Sequence, residues 1–98
     1  MDLCIIKKCQ GQSQSGNPLL DIEHFHWKEA FTDFPGVYTR QELYDFLDGS
    51  GYAYVIDPED PYGARRVPLV VARSDGKKYV RCAGAWDVDP LLLLPECE

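Results

Sequence analysis

The residues that most constrain the fold are Thr39-Arg40-Gln41-Glu42. A threonine followed three positions later by a glutamate can form a capping box, each side chain satisfying a backbone amide that the first helical turn leaves without a partner. A helix is therefore expected to start there. Leu43, Phe46 and Leu47 follow at helical spacing while Arg40, Gln41, Asp45 and Asp48 point elsewhere, and Gly49 is expected to end the helix in the left-handed conformation. Val37, ahead of the cap, is expected to staple onto Leu43. The rest of the chain carries strand and turn signals, so this single short helix must be set against a sheet.

Residues 3–8 form a short apolar run ending in two lysines, and the polar, glycine-bearing residues 10–18 interrupt it. Residues 19–27 alternate weakly, with Phe25 and Trp27 on one face and His24 and His26 on the other, which suits a second strand. Residues 28–36 end at Pro35-Gly36 and read equally as a loop or a helical turn. After the helix, residues 52–56 are β-prone and run into the turn-rich Asp57-Pro58-Glu59-Asp60-Pro61-Tyr62-Gly63. Residues 67–73 and 78–82 flank Ser74-Asp75-Gly76-Lys77, and Asp-Gly suits the type I′ turn of a tight hairpin. Pro68, which has no amide hydrogen, implies an edge position or pairing that starts beyond it. Past Ala83, Asp89-Pro90 and Pro95 prevent regular structure, so an irregular carboxy-terminal tail is expected. Trp86 and some of Leu91, Leu92, Leu93 and Leu94 should cover the sheet face opposite the helix. These readings predict an α+β fold: a small antiparallel sheet in ββαβββ order, one short helix packed on a face, and the whole chain, residues 1–98, as one domain.

An apolar fraction of 45% with 12% aromatics over 98 residues is enough for one thin core. A net charge of −6 argues against general nucleic-acid binding, which draws its affinity from cations that neutralise phosphates. The cations are nonetheless concentrated, six of the ten lying between residues 65 and 81. No segment reads as a signal peptide or a membrane span. Four scattered cysteines without paired spacing, Cys4, Cys9, Cys82 and Cys97, read as reduced thiols, and with no export signal a soluble cytoplasmic protein is expected.

From residue 39 onward the chain shows a short helix, a tyrosine-bearing strand, a Val-rich hairpin, Lys78-Tyr79-Val80-Arg81, and then Leu93-Leu94-Pro95-Glu96-Cys97. This part resembles the small bacterial family catalogued as domain of unknown function 3892, whose members tend to end in a Tyr-Leu-Arg-like strand and a Leu-Pro-Glu-Cys-like tail. Two departures stand out: the amino-terminal part with His24-x-His26, and Asp87-Val88-Asp89-Pro90 where the family carries an Asn-rich stretch. The resemblance implies a compact fold and supplies no catalytic residue.

Cysteines and histidines together offer enough donors for zinc, but Cys4 and Cys9 lie five apart and no Cys-x-x-Cys pair occurs, so no metal site is expected. Nothing in the sequence places a nucleophile beside a base, and no phosphate loop, nucleophile elbow or metalloprotease motif is present, so neither catalysis nor a cofactor is expected. Two surfaces are candidates for binding. One is a cationic and aromatic hairpin region comprising Tyr52, Tyr54, Arg65, Arg66, Lys77, Tyr79, Arg81 and Trp86, suited to an anionic small molecule such as a nucleotide or phosphorylated signal. Lysines on such a hairpin also serve simply to keep an edge strand from pairing with other chains. The other is an acidic face comprising Glu42, Asp45, Asp48, Glu59 and Asp60, suited to docking on a protein, although the same acids would serve a solvated helix and turn. The leading expectation is a non-catalytic bacterial or phage-type binding or inhibitor protein that occupies a protein partner through an acidic, aromatic-bearing surface. A small-molecule sequestering protein is the alternative and a small hydrolase a more distant one, while membrane association is not expected.

Overall fold

The computed structural model describes residues 1–11 and 15–97; residues 12–14 of the expected polar loop lie outside the described residues. The fold is α+β, a six-stranded sheet with one helix. In chain order the elements are β1 (Asp2–Gln10), β2 (Ile22–Glu29), β3 (Pro35–Thr39), α1 (Arg40–Asp48), β4 (Tyr52–Ile56), β5 (Arg66–Ser74), β6 (Lys77–Cys82) and a 3-10 turn, Pro90–Leu93. All the expected strands form. One more, β3, begins at the Pro35-Gly36 end of the segment that read as a loop or helical turn and runs to the helix cap.

The sheet order is β3-β2-β1-β4-β5-β6, so α1 carries the chain from one edge back over β2 and β1 to β4. That crossover makes β4 parallel to β1, with Leu3 opposite Ala53, while every other strand pair is antiparallel. The expectation of a wholly antiparallel sheet is corrected by this one junction. With β3 present, the helix no longer links neighbouring strands and so permits a parallel return.

The capping box forms as expected, the Glu42 amide donating to Thr39 Oγ1 at 3.1 Å and the Thr39 amide to Glu42 Oε1 at 2.9 Å. The helix end differs from expectation. Gly49 has φ −85°, and the left-handed residue is Ser50, with φ 75°. Val37 is exposed on β3 and does not staple onto Leu43, because an extended backbone at this position turns it away from the helix. In the β5–β6 hairpin, Asp75 (φ 51°) and Gly76 (φ 77°) are both left-handed, as a type I′ turn requires.

Leu43 and Tyr44 of α1 pack into a core made by Leu3, Ile5, Phe25, Trp27, Ala53, Val55, Val67, Leu69, Val80 and Cys82. Leu91 of the 3-10 turn joins the same core and is fully buried. The tail thus supplements the helix layer and does not cover the other face. Trp86 does not clamp down either, being 38% exposed, with its indole N–H donating to the Ala83 carbonyl. A leucine following Asp89-Pro90 can insert because Asp89 accepts from the Leu91 and Cys82 amides and pins the turn to β6.

The chain end then runs beside the half of β1 that β4 leaves unpaired. Lys8 N–H donates to the Pro95 carbonyl, Cys97 N–H donates to the Lys8 carbonyl, and Lys8 pairs with Glu96 in a parallel bridge. This places Cys97 beside Cys9, their Cα atoms 5.1 Å apart, and the two are joined by a disulfide. The reading of four reduced thiols is corrected for this pair, while Cys4 and Cys82 are free and buried. Among the described residues no helix is long and apolar enough to cross a membrane.

Candidate binding face

Strand side chains alternate between faces, so the residues between the core positions must emerge on the side away from α1. On β4 these are Tyr52, Tyr54 and Ile56; on β5, Arg66, Pro68, Val70 and Ala72; on β6, Lys77, Tyr79 and Arg81. On β2 they are His24, His26 and Lys28, opposite Thr39, Val37 and Pro35 of β3. Tyr54 is buried, 4% exposed, while the other side chains on this face are half-buried or exposed, and all lie outside the main core cluster. Among the described residues no helix or second sheet packs over this face, and it is rich in aromatic, apolar and cationic groups where a solvated sheet face would be dominated by small polar ones.

At its centre Tyr52 and Tyr54 pack with ring centroids 5.7 Å apart, and the Arg66 guanidinium lies 4.4 Å from the centroid of the Tyr54 ring. These come together because Tyr52 and Tyr54 lie two apart on one strand, and Pro68, two residues after Arg66, is the partner of Tyr54 across the ladder. Beneath them Cys4 lies beside Tyr54, and burial pushes its thiol pKa up. Tyr79 and Arg81 continue the same face on β6, though the Arg81 guanidinium curls back to donate to the Cys82 and Gly84 carbonyls at 3.0 and 3.3 Å. Asp2 of β1, paired with Tyr52, is the one acid among the paired positions facing this way on β1, β4, β5 and β6.

Two members of the expected hairpin site lie elsewhere. Arg65 precedes β5, and its guanidinium pairs at 3.8 Å with Asp57, which is buried at the base of the β4–β5 loop. Trp86 lines a separate cavity of about 430 Å³ with Glu59, Ala85, Asp87, Val88 and Leu93, a lining that repels anions. A second cavity, of about 280 Å³, lies among Glu23, His24, Thr39, Arg40 and Gln41. Neither is lined by Tyr52, Tyr54, Arg66 or Tyr79.

The acidic residues are not assembled into one surface with the tyrosines. Glu42, Asp45 and Asp48 are exposed on α1, on the opposite side of the sheet. Glu42 is held by the capping box, and Asp45 accepts from Gln41. Asp60 accepts from the amides of Tyr62, Ala64 and Arg65, bonds that hold its carboxyl below the usual range and give it a loop-building task. Glu59 stands apart in the Trp86 cavity.

The structure also gathers groups that spacing kept apart. Cys9, Cys97 and His26 place their donor atoms within 4.8 Å of one another, all half-buried. Their convergence needed the tail to pair with β1 across a sequence separation of 88, for which the sequence carries no local signal. It also needed the irregularity between Ile5 and Lys7, which shifts the register so that Cys4 and Cys9 both face away from the helix. The remaining thiol, Cys82, has its pKa raised by burial and by the neighbouring Asp89, which makes it a poor nucleophile.

Comparison with family models, with curated proteins and with solved structures finds no match.

Proposed function

We propose that this chain is a non-catalytic binding protein that works by occupying a protein partner, and that it docks through the open face of its sheet. The observation that carries the reading is the exposed Arg66 guanidinium laid over the buried Tyr54 ring beside half-buried Tyr52, on a cationic face of an otherwise acidic molecule. Tyrosine and arginine are the residues on which protein interfaces concentrate their binding energy, since each offers a large rigid contact together with a polar tip. The partner surface that complements such a face is acidic. The absence of a nucleophile–base pair from the sequence motifs and the burial of both free thiols support a role without chemistry. A cytoplasmic setting belongs to the same reading, and there Cys9 and Cys97 would stand as thiols.

Immobilised protein exposed to lysate should retain a partner that elutes at raised salt. The doubly substituted Arg66→Glu, Arg81→Glu chain should lose that partner while keeping the sheet signal of the native chain in circular dichroism. An Asp45→Asn, Asp48→Asn chain should keep it. Loss in the helix variant and retention in the sheet variant would transfer the function to the acidic face. The competing reading, a protein that sequesters an anionic small molecule on the same arginines, requires a nucleotide or phosphorylated compound to be released when the protein is denatured, detectable by mass spectrometry.

A further inference from the structure

We infer that Cys9, Cys97 and His26 form a zinc site that is open only when the Cys9–Cys97 disulfide is reduced. This goes beyond the docking reading and does not depend on it. The geometry is that of a three-ligand centre, two sulfurs and one imidazole nitrogen within 4.8 Å of one another. Zinc–sulfur bonds of about 2.3 Å and zinc–nitrogen bonds of about 2.0–2.1 Å place the donor atoms of a tetrahedral site about 3.5–3.8 Å apart. The donor atoms lie within about 1 Å of that spacing, and the Cα atoms of Cys9 and Cys97 are 5.1 Å apart. Two thiolates with an imidazole are a donor set that zinc prefers over magnesium or calcium, which take oxygen.

The scaffold holds the ligands in place without the metal. Cys9 and His26 sit on adjacent, hydrogen-bonded strands, and Cys97 is fixed by its own amide bond to the Lys8 carbonyl and by the ion pair of Glu96 with Lys8 at 3.1 Å. Reduction therefore leaves the sulfurs near each other. All three residues are half-buried, which gives an ion a route in while excluding part of the competing water.

The two states exclude each other because both use the same sulfur atoms. A dithiol reductant breaks the S–S bond, delivering two electrons and two protons, and itself becomes a disulfide. Zinc then replaces the two thiol protons, which pass to solvent, and His26 donates the lone pair of its neutral imidazole. A low-molecular-weight disulfide reverses the step by thiol–disulfide exchange, taking two electrons and leaving as two thiols as the Cys9–Cys97 bond re-forms and the ion is released. The site thus couples metal occupancy to the redox state of its surroundings.

The test uses the full chain, reduced with a phosphine and titrated anaerobically with cobalt(II) as a spectroscopic substitute for zinc. The expected result is saturation at about one ion per chain, with a thiolate charge-transfer band in the near ultraviolet, d–d absorption of tetrahedral intensity, and displacement of both signals by zinc. Cys97→Ser should abolish the charge-transfer band at equal cobalt, and His26→Ala should weaken cobalt binding by at least about tenfold. Cys82→Ala, whose thiol is buried elsewhere, should bind as the native chain does. Overturning results are a reduced native chain with no charge-transfer band, an unoxidised Cys97→Ser chain that binds equally well, or a disulfide-bonded chain that binds cobalt as the reduced one does. Circular dichroism of each variant shows that a lost band is a lost ligand, because a chain that keeps its sheet signal and loses cobalt supports the assignment. A His26→Ala chain that keeps both overturns it.

Discussion

Gly36 shows how a single residue decides where a strand can run. It lies opposite Trp27 in the β2–β3 ladder, and a Cβ added there would fall inside the indole ring. The ring occupies the space that any larger residue would need, so Gly36→Ala is expected to force Trp27 off its rotamer at a cost of roughly 1–3 kcal/mol, measured by urea unfolding. Cys82 exerts its control through protonation. Burial first, and the Asp89 carboxylate second, push its thiol pKa up, so the folded chain keeps this proton at a pH where the unfolded chain gives it away. The contribution of Cys82 to stability is therefore full below the ordinary thiol value near 9 and is lost as the pH climbs beyond it. Unfolding free energy should fall more steeply above that pH for the native chain than for Cys82→Ala. Equal slopes in the two chains would remove Cys82 as the cause.

Among the elements, α1 draws its boundaries from its ends more than from its narrow apolar face. Replacing Thr39 by alanine leaves the Glu42 amide without its acceptor and is expected to cost about 0.5–2 kcal/mol. Ser50 carries the left-handed conformation after the helix with a Cβ in place, so Ser50→Gly should raise the melting temperature modestly, by relieving a strain of order 1 kcal/mol offset by greater freedom in the unfolded chain. The helix start was legible because a capping box is a local signal. The β5–β6 hairpin was legible for the same reason, its Asp-Gly turn and its alternation lying within a few residues. β3 was not legible, since Pro35-Gly36 signals a turn in isolation. Pro35 is tolerated because β3 is an edge strand, and Gly36 is needed because of a tryptophan on the neighbouring strand. Much of the candidate face was visible as alternating tyrosines and arginines, but its separation from the acidic residues was not. That separation depends on which side of the sheet the helix covers, a fact that arises only when the crossover is built.

At the scale of the whole molecule, the tail closes the structure by tying the last residues to the first strand. Leu91 is fully buried, so Leu91→Ala should cost roughly 2–5 kcal/mol, whereas Trp86→Ala, at an exposed side chain bonded only to its own loop, should stay within about 0.5 kcal/mol. The disulfide acts on a longer range. Linking residues 88 apart removes conformations from the unfolded chain that the two-hydrogen-bond junction between the tail and β1 cannot remove, because those hydrogen bonds vanish on unfolding and the covalent link does not. A stabilisation of about 2–4 kcal/mol follows, a large share of what a domain this size possesses. Reducing the protein in the presence of a metal chelator should accordingly lower the melting temperature by roughly 10–25 °C, with the sheet signal intact below the transition. Cys97→Ser should melt at the reduced temperature with or without reductant, and so should Cys9→Ser. If the native chain melts at one temperature in both conditions, then Cys9 and Cys97 are not linked in the protein, and the tail is held by noncovalent contacts: Leu91 in the core, Asp89 on the Cys82 amide, the two backbone bonds to Lys8 and the Lys8–Glu96 pair.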